Sequence, residues 1–326
     1  MRSVLVTGGA GYIGSHTCKA LASAGFLPVT YDDLVTGSRA VVRWGPFEYG
    51  DILDATRLTE VMARHRPVGI LHFAAFADVG ESAVDPLRYY RNNVSGTVTL
   101  LQAARDFGID AVVFSSSCAV YGDPAAQPVD ETAQIAPISP YGTTKAVVER
   151  VLADTEAAGG GRWMALRYFN AAGADPDGEI GELHSAGVRI VPLAIRAALG
   201  RRPSLTLNGD DYPTPDGTCV RDYVHVADLA EAHVRALSAL IAGASSRAFN
   251  LGTGRGHSIR EVIAAVERAT GRKVPLVVGP RRPGDPPALW ADATRARAEL
   301  GWRPTYPELD DIVRHAAAWH TASPDR

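Results

Sequence analysis

A tyrosine and a lysine in the stretch SPYGTTKAVVER, residues 139–150, have types and a spacing that suit proton transfer. Tyr141 and Lys145 are four residues apart, which in a helix brings two side chains onto one face. The Lys145 ammonium would then lie beside the phenol and lower its pKa. Tyr-x-x-x-Lys also arises by chance, and Ser139-Pro140 is a common helix start, so these residues alone leave a structural interpretation equally open.

Three serines in FSSSCAVYG come earlier in the chain and end a predicted strand: Ser115, Ser116 and Ser117. Parallel α/β sheets bind their ligands at the carboxyl edge, where such a strand ends. The helix that carries Tyr141 follows directly. This order favours the chemical interpretation, in which Tyr141 and Lys145 act beside one or more of the serines.

The stretch TGGAGYIGS, residues 7–15, predicts a dinucleotide site. Gly8 permits a tight turn, Gly11 lets the backbone approach a pyrophosphate, and Gly14 allows close helix packing, with the phosphates at the helix N-terminus. Asp32 ends the next strand, where a carboxylate binds ribose hydroxyls and repels a 2′-phosphate, so NAD is favoured over NADP. The alternative is a plain glycine turn with Asp32 as a turn or capping residue.

Further strand ends face the same crevice. They carry Asp51, Ile52, Phe73, Ala74 and Ala75, which we expect near the cofactor. The neighbouring His72 is interpreted as a buried strand histidine.

The pKa change that Tyr141 would need indicates what must surround it. Poising the phenol near pH 7, instead of at its reference pKa of about 10, requires roughly 4 kcal/mol. One exposed ion pair supplies less than about 1 kcal/mol. We therefore expect a desolvated site and the positive charge of an oxidised nicotinamide nearby.

Apolar runs alternate with helical patterns through the first half of the chain. Strands are predicted at residues 3–7, 28–31, 69–73, 111–115 and 163–168, and helices at 13–24, 55–64, 86–107 and after Tyr141. This rhythm predicts an α/β fold with a doubly wound parallel (Rossmann) sheet. Loop-rich sequence after Tyr168 suggests a smaller C-terminal α/β substrate-binding lobe. We expect a cofactor domain at residues 1–169, with return segments near 219–254, and a substrate domain at 170–326.

Composition narrows the class of protein. The 326 residues carry 33 basic and 36 acidic side chains, a net charge of −3, so no basic surface predicts nucleic acid or an acidic membrane. Three scattered cysteines fit neither a disulfide framework nor a zinc site, and we predict no metal. No signal peptide or membrane span is expected, and cytoplasmic localisation is predicted.

Motifs along nearly the whole chain resemble those of the extended short-chain dehydrogenases/reductases, and more narrowly the UDP-glucose (UDP-galactose) 4-epimerase family. They include VTGGAGYIGSHT, HFAA, YYRNNVSGT, SSSCAVYG, SPYGTTK, LRYFNAAGA, DYPTPDGTCVRDYVHV, NLGTG and RRPGDPPALWAD. The resemblance implies retained NAD, a UDP-sugar substrate and a homodimer. It also implies further cofactor contacts from Tyr12, Ile13, Asn93, Ser115 and Tyr168.

The resemblance also assigns roles. Tyr141 acts as the base towards the sugar 4-hydroxyl, Lys145 tunes it, and Ser117 binds the 4-oxygen, while hydride leaves C4 for NAD and returns to the other face. The expected substrate contacts, besides Ser117 and Tyr141, are Asn170, Arg189, Ile190, Arg221, Arg282, Asp285 and Leu289, with Arg221 and Arg282 on the pyrophosphate.

Two departures from the family pattern leave the sugar open. Arg189 replaces an Asn or His, and could add a phosphate contact or select an acidic sugar such as a glucuronate. Leu289 stands where the family has tyrosine for plain hexoses and a small residue for N-acetylated ones. Leucine is intermediate in size, and glucose and galactose are favoured. Ala77 removes a possible polar contact to the cofactor, and Cys118-Ala119 replaces the common Ala-Thr.

Competing functions are a 4-epimerase of UDP-N-acetylglucosamine, UDP-glucuronate or UDP-xylose, and a non-catalytic NAD-sensing or scaffold protein on the same fold. A nucleotide-sugar 4,6-dehydratase would carry Asp-Glu after the active serine or threonine, where this chain has Cys118-Ala119.

Overall fold

A computed structural model describes residues 1–183, 189–282 and 285–322. The strands are β1 (Arg2–Thr7), β2 (Phe26–Asp32), β3 (Phe47–Tyr49), β4 (Ile70–His72), β5 (Ala111–Ser115), β6 (Arg162–Tyr168), β7 (Asn170–Ala172), β8 (Leu205–Asn208), β9 (Val220–Arg221), β10 (Tyr223–His225), β11 (Arg247–Leu251), β12 (His257–Ser258), β13 (Leu276–Gly279) and β14 (Ala288–Leu289). The helices are α1 (Tyr12–Ser23), α2 (Ala55–His65), α3 (Val79–Val84), α4 (Pro86–Tyr89), α5 (Gly96–Asp106), α6 (Pro140–Ala157), α7 (Ile190–Ala198), α8 (Val226–Ile241), α9 (Ile259–Thr270), α10 (Thr294–Glu299) and α11 (Leu309–Ala322).

A seven-stranded parallel sheet forms the larger part of the molecule, in the order β11-β6-β5-β4-β1-β2-β3. Successive residues of β1 face opposite sides: Val4 and Val6 belong to the apolar cluster with α1 and α8, and Leu5 belongs to the cluster with α2, α5 and α6. Burial on both faces is typical of a parallel sheet between helical layers. The predicted doubly wound fold is confirmed.

The strand order reverses between β1 and β4. From β1 the chain moves outward through β2 and β3, then crosses back to β4 and proceeds through β5 and β6 on the other side. The crevice at the carboxyl ends of the strands at such a reversal is the usual ligand site of this architecture. Both the glycine stretch after β1 and the serines after β5 lie at this edge.

A smaller lobe is built from helices α7, α9 and α11, whose apolar faces share one cluster. Two small sheets accompany it, one of β8 with β13 and one in the order β12-β9-β14. Along the chain, α8 and β11 lie between β10 and β12. Helix α8 packs against α1, and β11 joins β6 in the large sheet. The chain therefore passes between the large sheet and the lobe more than once.

The helix predicted for residues 86–107 is not regular. A π-helical turn at Tyr90–Ser95 separates α4 from α5. It carries the buried Asn93, whose side chain bonds both the N–H and the C=O of Phe76, at 2.9 and 3.0 Å. Wide turns of this kind re-aim a side chain within a helix.

Within the described residues, no helix combines the length and the apolar character needed to cross a bilayer.

Candidate active site

One cavity of about 630 Å³ lies between the carboxyl edge of the large sheet and the smaller lobe. All of the site residues predicted from the sequence line it except Asp51 and Asn93. Two residues of the RRPGD motif, at 283–284, and the valine of VRIVP, at 188, lie outside the described residues. The cavity thus joins the glycine stretch, the serines, the Tyr-Lys pair and the basic residues of the lobe in a single space.

The glycine stretch forms a tight turn that side chains cannot enter. Gly8 has φ of +73°, and a Cβ there would lie 2.6 Å from the Ala74 nitrogen. A Cβ on Gly14 would lie 2.2 Å from the Gly8 oxygen. The first residue before α1, Gly11, supplies no side-chain cap, so the first N–H groups of this helix are available to an anion. The turn fits the pyrophosphate of a dinucleotide.

Asp32 is held rigidly at the end of β2. Its Oδ2 accepts from the Ala10 N–H at 3.0 Å and its Oδ1 from the Leu34 N–H at 2.8 Å. Burial raises the pKa of this carboxyl, and the two N–H donors partly oppose that rise. The fixed oxygens suit vicinal ribose hydroxyls and disfavour a phosphate in the same place. The residues present therefore fit NAD.

Asp51 and Asn93 do not line the cavity. The Asp51 side chain is exposed and accepts from the Leu53 N–H at 2.9 Å, while its backbone oxygen accepts from Tyr31 Oη at 2.8 Å. Asn93 is buried behind Phe76, which does line the cavity. The buried His72 bonds Thr7 and Thr97 through its two ring nitrogens, at 2.7 and 2.8 Å, and burial lowers its pKa to about 3. It is a structural histidine, as interpreted from the sequence.

The Tyr-Lys pair occupies the start of α6. Ser139 caps this helix, because its Oγ accepts a hydrogen bond from the Gly142 N–H at 3.1 Å. Pro140 occupies the first helical position. Lys145 Nζ lies 5.8 Å from the centre of the Tyr141 ring and donates to the Ser115 carbonyl at 2.7 Å. The two side chains share one helix face, as the spacing predicts.

Burial dominates the ionisation of both groups. It raises the pKa of Tyr141 well above its ordinary value, although the Ser117 hydroxyl and the Arg189 guanidinium act in the opposite direction. Burial lowers the pKa of Lys145 to about 7. The protein groups alone therefore leave the phenol protonated at neutral pH, in line with the expectation that a further positive charge is needed beside it.

A closed loop positions Arg221 at the other end of the cavity. Thr218 donates its N–H and Oγ1–H to Asp216 Oδ1 at 2.9 and 2.7 Å, and Ser258, the capping residue of α9, donates to Asp216 Oδ2 at 2.5 Å. Arg221, in β9 just after this loop, lies 3.7 Å from Asp285. The DYPTPDGT motif thus holds the strand that carries this arginine.

Several other predicted residues complete this end of the cavity. Asn170 in β7 donates from its side chain to the Asp222 carbonyl at 3.1 Å. Leu289 in β14 is buried, and Ile190 begins α7. Both line the cavity together with Arg282.

Sequence reasoning missed Glu182. This buried carboxylate accepts from Arg189 Nη1 at 2.7 Å, and the Arg189 guanidinium lies 5.0 Å from the centre of the Tyr12 ring. Arg189 therefore reaches the cavity with its charge already paired. The only signal in the sequence is an acidic residue seven positions before the arginine, which is too common to single out.

Comparison with known proteins identifies one family. Residues 4–252 match the model of the NAD dependent epimerase/dehydratase family. A UDP-glucose 4-epimerase of Rhizobium leguminosarum bv. trifolii is 54% identical over 98% of this chain and 98% of its own length. A solved UDP-glucose 4-epimerase from Brucella ovis in complex with NAD is 54% identical, covers 98% of each chain and has a TM-score of 0.95. One from Stenotrophomonas maltophila, with bound NAD and formylated UDP-arabinopyranose, is 44% identical, covers 99% of each chain and has a TM-score of 0.95. The chain belongs to the NAD dependent epimerase/dehydratase family.

Proposed function

We propose that the protein interconverts UDP-glucose and UDP-galactose by reversible epimerisation at C4, with NAD retained as its cofactor. The observation that carries this proposal is the single cavity in which Ser117, Tyr141 and Lys145 lie between the glycine turn and Arg221. Relatives named UDP-glucose 4-epimerase along the full length of the chain support it. NAD, held by the glycine turn and Asp32, would supply the hydride acceptor and donor for C4 of the sugar.

Tyr141 moves the proton. Its Oη accepts the proton of the sugar 4-hydroxyl and later returns it, while Ser117 Oγ donates to the 4-oxygen and holds it in place. Lys145 is held within reach of the phenol by the Ser115 carbonyl at 2.7 Å, so its positive charge stabilises the phenolate. The buried setting excludes water from the exchanged proton.

The nucleotide is held more firmly than the sugar. Arg221 and Arg282 bind the pyrophosphate with charge-assisted hydrogen bonds, and Asn170 lines the same cavity. Leu289 and Ile190 offer apolar contacts that do not fix the orientation of a hexose. Such a division lets the keto sugar turn over while the UDP stays bound.

The test is a substrate panel on the purified protein. UDP-glucose, UDP-galactose, both N-acetylated counterparts, UDP-xylose and UDP-glucuronate are incubated separately, and the products are resolved by chromatography. We expect absorbance from a co-purifying nicotinamide and interconversion of UDP-glucose with UDP-galactose. Bound nicotinamide without turnover of any UDP-sugar would instead support a sensing or scaffold role.

A second copy of the chain is the proposed partner. Exposed apolar side chains on α3–α5 form what we call the apolar face: Val84 and Leu87, which are 86% and 79% exposed, with Tyr90 and Val98. We expect a homodimer by light scattering, and a monomer after Val84→Lys with Leu87→Lys. Val277→Lys, at a 54% exposed valine of β13, is the matched control and leaves the dimer intact.

The division at residues 169 and 170, with return segments near 219–254, remains our proposal for the cofactor and substrate domains. A reducing cytoplasm is the proposed compartment, consistent with Cys18, Cys118 and Cys219, which are all free thiols.

A further inference from the structure

Helix α6 places a third side chain in line with the Tyr-Lys pair. Tyr141, Lys145 and Glu149 follow one another at four-residue intervals and are all buried. The proposed mechanism uses the first two and leaves Glu149 without a part. A buried carboxylate needs partners, because its charge is costly to remove from water.

The partners of Glu149 come from two neighbouring strands. Its Oε1 accepts from Ser116 Oγ at 2.5 Å and from Arg167 Nε at 3.0 Å, and its Oε2 accepts from Arg167 Nη2 at 2.5 Å. Arg167, in β6, also donates to Tyr121 Oη at 3.0 Å. Glu149 therefore ties α6 to the residue just after β5 and to the carboxyl end of β6.

The same column fixes two consecutive residues of the serine segment. Lys145 Nζ holds the Ser115 carbonyl, and Glu149 holds the Ser116 hydroxyl. Ser117 is the next residue, and its Oγ accepts the Ala119 N–H at 3.1 Å. The position of Ser117 relative to Tyr141 thus depends on two bonds from one helix face.

We propose that Glu149 is a positioning residue for the reaction, which holds Ser116, and through it Ser117, against Tyr141, and whose negative charge keeps Lys145 cationic. The kinetic part of this inference rests on the proposed function. The electrostatic part concerns only protein groups and can be measured without turnover.

Glu149 lies one helical turn after Lys145 on α6, and its carboxylate charge acts on Lys145. Burial lowers the pKa of Lys145 to about 7, and the Glu149 carboxylate opposes that fall. Among the described residues, the other titratable or charged groups around Lys145 and its neighbours are His72, Cys118, Tyr141, Arg167, Tyr168 and Arg189. None of these is a carboxylate, so removing the Glu149 charge must lower the pKa of Lys145 further.

Lysine NMR tests the electrostatic part on the intact protein. The lysines of the chain are Lys19, Lys145 and Lys273, so labelling with [ε-¹³C]lysine gives three resolvable signals, and Lys145→Arg assigns one. Glu149→Gln is expected to lower the titration midpoint of Lys145 by at least about one pH unit. The matched control is Glu156→Gln, on the same helix, where Glu156 Oε1 accepts from Ser246 Oγ at 2.5 Å and the midpoint should not move. An unchanged midpoint in Glu149→Gln would overturn the inference.

Glu149→Gln leaves the buried Arg167 charge without its carboxylate, which can prevent folding. The double variant Glu149→Gln with Arg167→Met removes both charges and replaces the single variant in that case. A downward shift is again expected, but a smaller one, because the opposing Arg167 charge is lost as well.

Kinetics test the positioning part. Ser116→Ala keeps the ion pair and removes only the bond from Glu149 to the serine segment. We expect kcat for UDP-galactose to fall about tenfold through misplacement of Ser117, with KM and the Lys145 midpoint unchanged. Wild-type kcat in Ser116→Ala would exclude the positioning role. A wild-type protein that turns over no UDP-sugar would refute the proposed function, while the NMR measurement would still decide whether Glu149 keeps Lys145 cationic.

Discussion

The two ends of the cavity are built in different ways. At the glycine-loop end, backbone atoms form the surface: a Cβ on Gly14 would meet the Gly8 oxygen at 2.2 Å, and Asp32 is fixed by two N–H groups. At the nucleotide-sugar end, long side chains form it, with Arg221 3.7 Å from Asp285 and Arg189 paired with Glu182. A backbone surface cannot adapt to a different ligand, whereas long side chains can. Cofactor choice is therefore fixed, and substrate choice is adjustable by substitution.

The largest effect is expected where the two ends meet. Tyr141→Phe removes the hydroxyl that we propose takes the sugar proton, and kcat should fall by about 10³-fold. The aromatic ring remains, so NAD content, read from nicotinamide absorbance, should match the wild type. Turnover at the wild-type rate would show that another group carries the proton.

Disrupting the glycine-loop end should remove the cofactor. In Gly14→Ala the added methyl must displace backbone, at a cost of about 1–3 kcal/mol, which corresponds to roughly 5- to 150-fold weaker NAD binding. Purified protein is assayed for bound nicotinamide and titrated with NAD by calorimetry. Gly108→Ala is the control, because a Cβ there meets nothing within 4 Å although φ is +65°. It should lose some stability and bind NAD normally; equal NAD loss in both variants would indicate general destabilisation.

Weakening the nucleotide-sugar end should reduce substrate binding and leave NAD binding unchanged. Arg221→Ala removes a charge-assisted contact that we propose to the pyrophosphate, so KM for UDP-galactose should rise about tenfold. NAD content stays at the wild-type level. Arg235→Ala, whose arginine pairs with Glu231 on α8, is the control and should leave KM unchanged. Loss of NAD from Arg221→Ala would mean that the two ends are not independent.

The smallest effect concerns Arg189. Because Glu182 already neutralises its guanidinium, we expect Arg189→His to weaken UDP-glucose and UDP-glucuronate binding by the same factor, less than about tenfold. Dissociation constants for both ligands are measured by calorimetry. A much larger loss for UDP-glucuronate would assign Arg189 to recognition of an acidic sugar.

Local patterns predicted most of the large sheet. The strand at residues 111–115 coincides with β5, and the glycine stretch lies between β1 and α1 as expected. These features depend on neighbouring residues, since turns need glycine and buried parallel strands need continuous apolar runs. The placement of Tyr141 and Lys145 on one face of α6 likewise follows from helix geometry alone.

Features that depend on distant residues were missed. The two-residue strands β9, β12 and β14 exist only because they pair with one another across long stretches of chain. Helix α7 was not predicted from IVPLAIRAA, whose Pro192 is tolerated in the first turn. The Arg189–Glu182 pair and the π-helical turn at Asn93 are likewise tertiary features, with no local sequence signal.

The position of β11 has a consequence for synthesis of the chain. Leu251 pairs with Tyr168, so β6 receives its second neighbour only after residues 247–251 have left the ribosome. At about 5–20 residues per second, this strand edge stays unpaired for several seconds. Unpaired edges recruit strands of other chains, so the nascent protein is most prone to aggregation during this interval. Slow translation between residues 168 and 251 would therefore lower the yield of folded enzyme more than slow translation after residue 251.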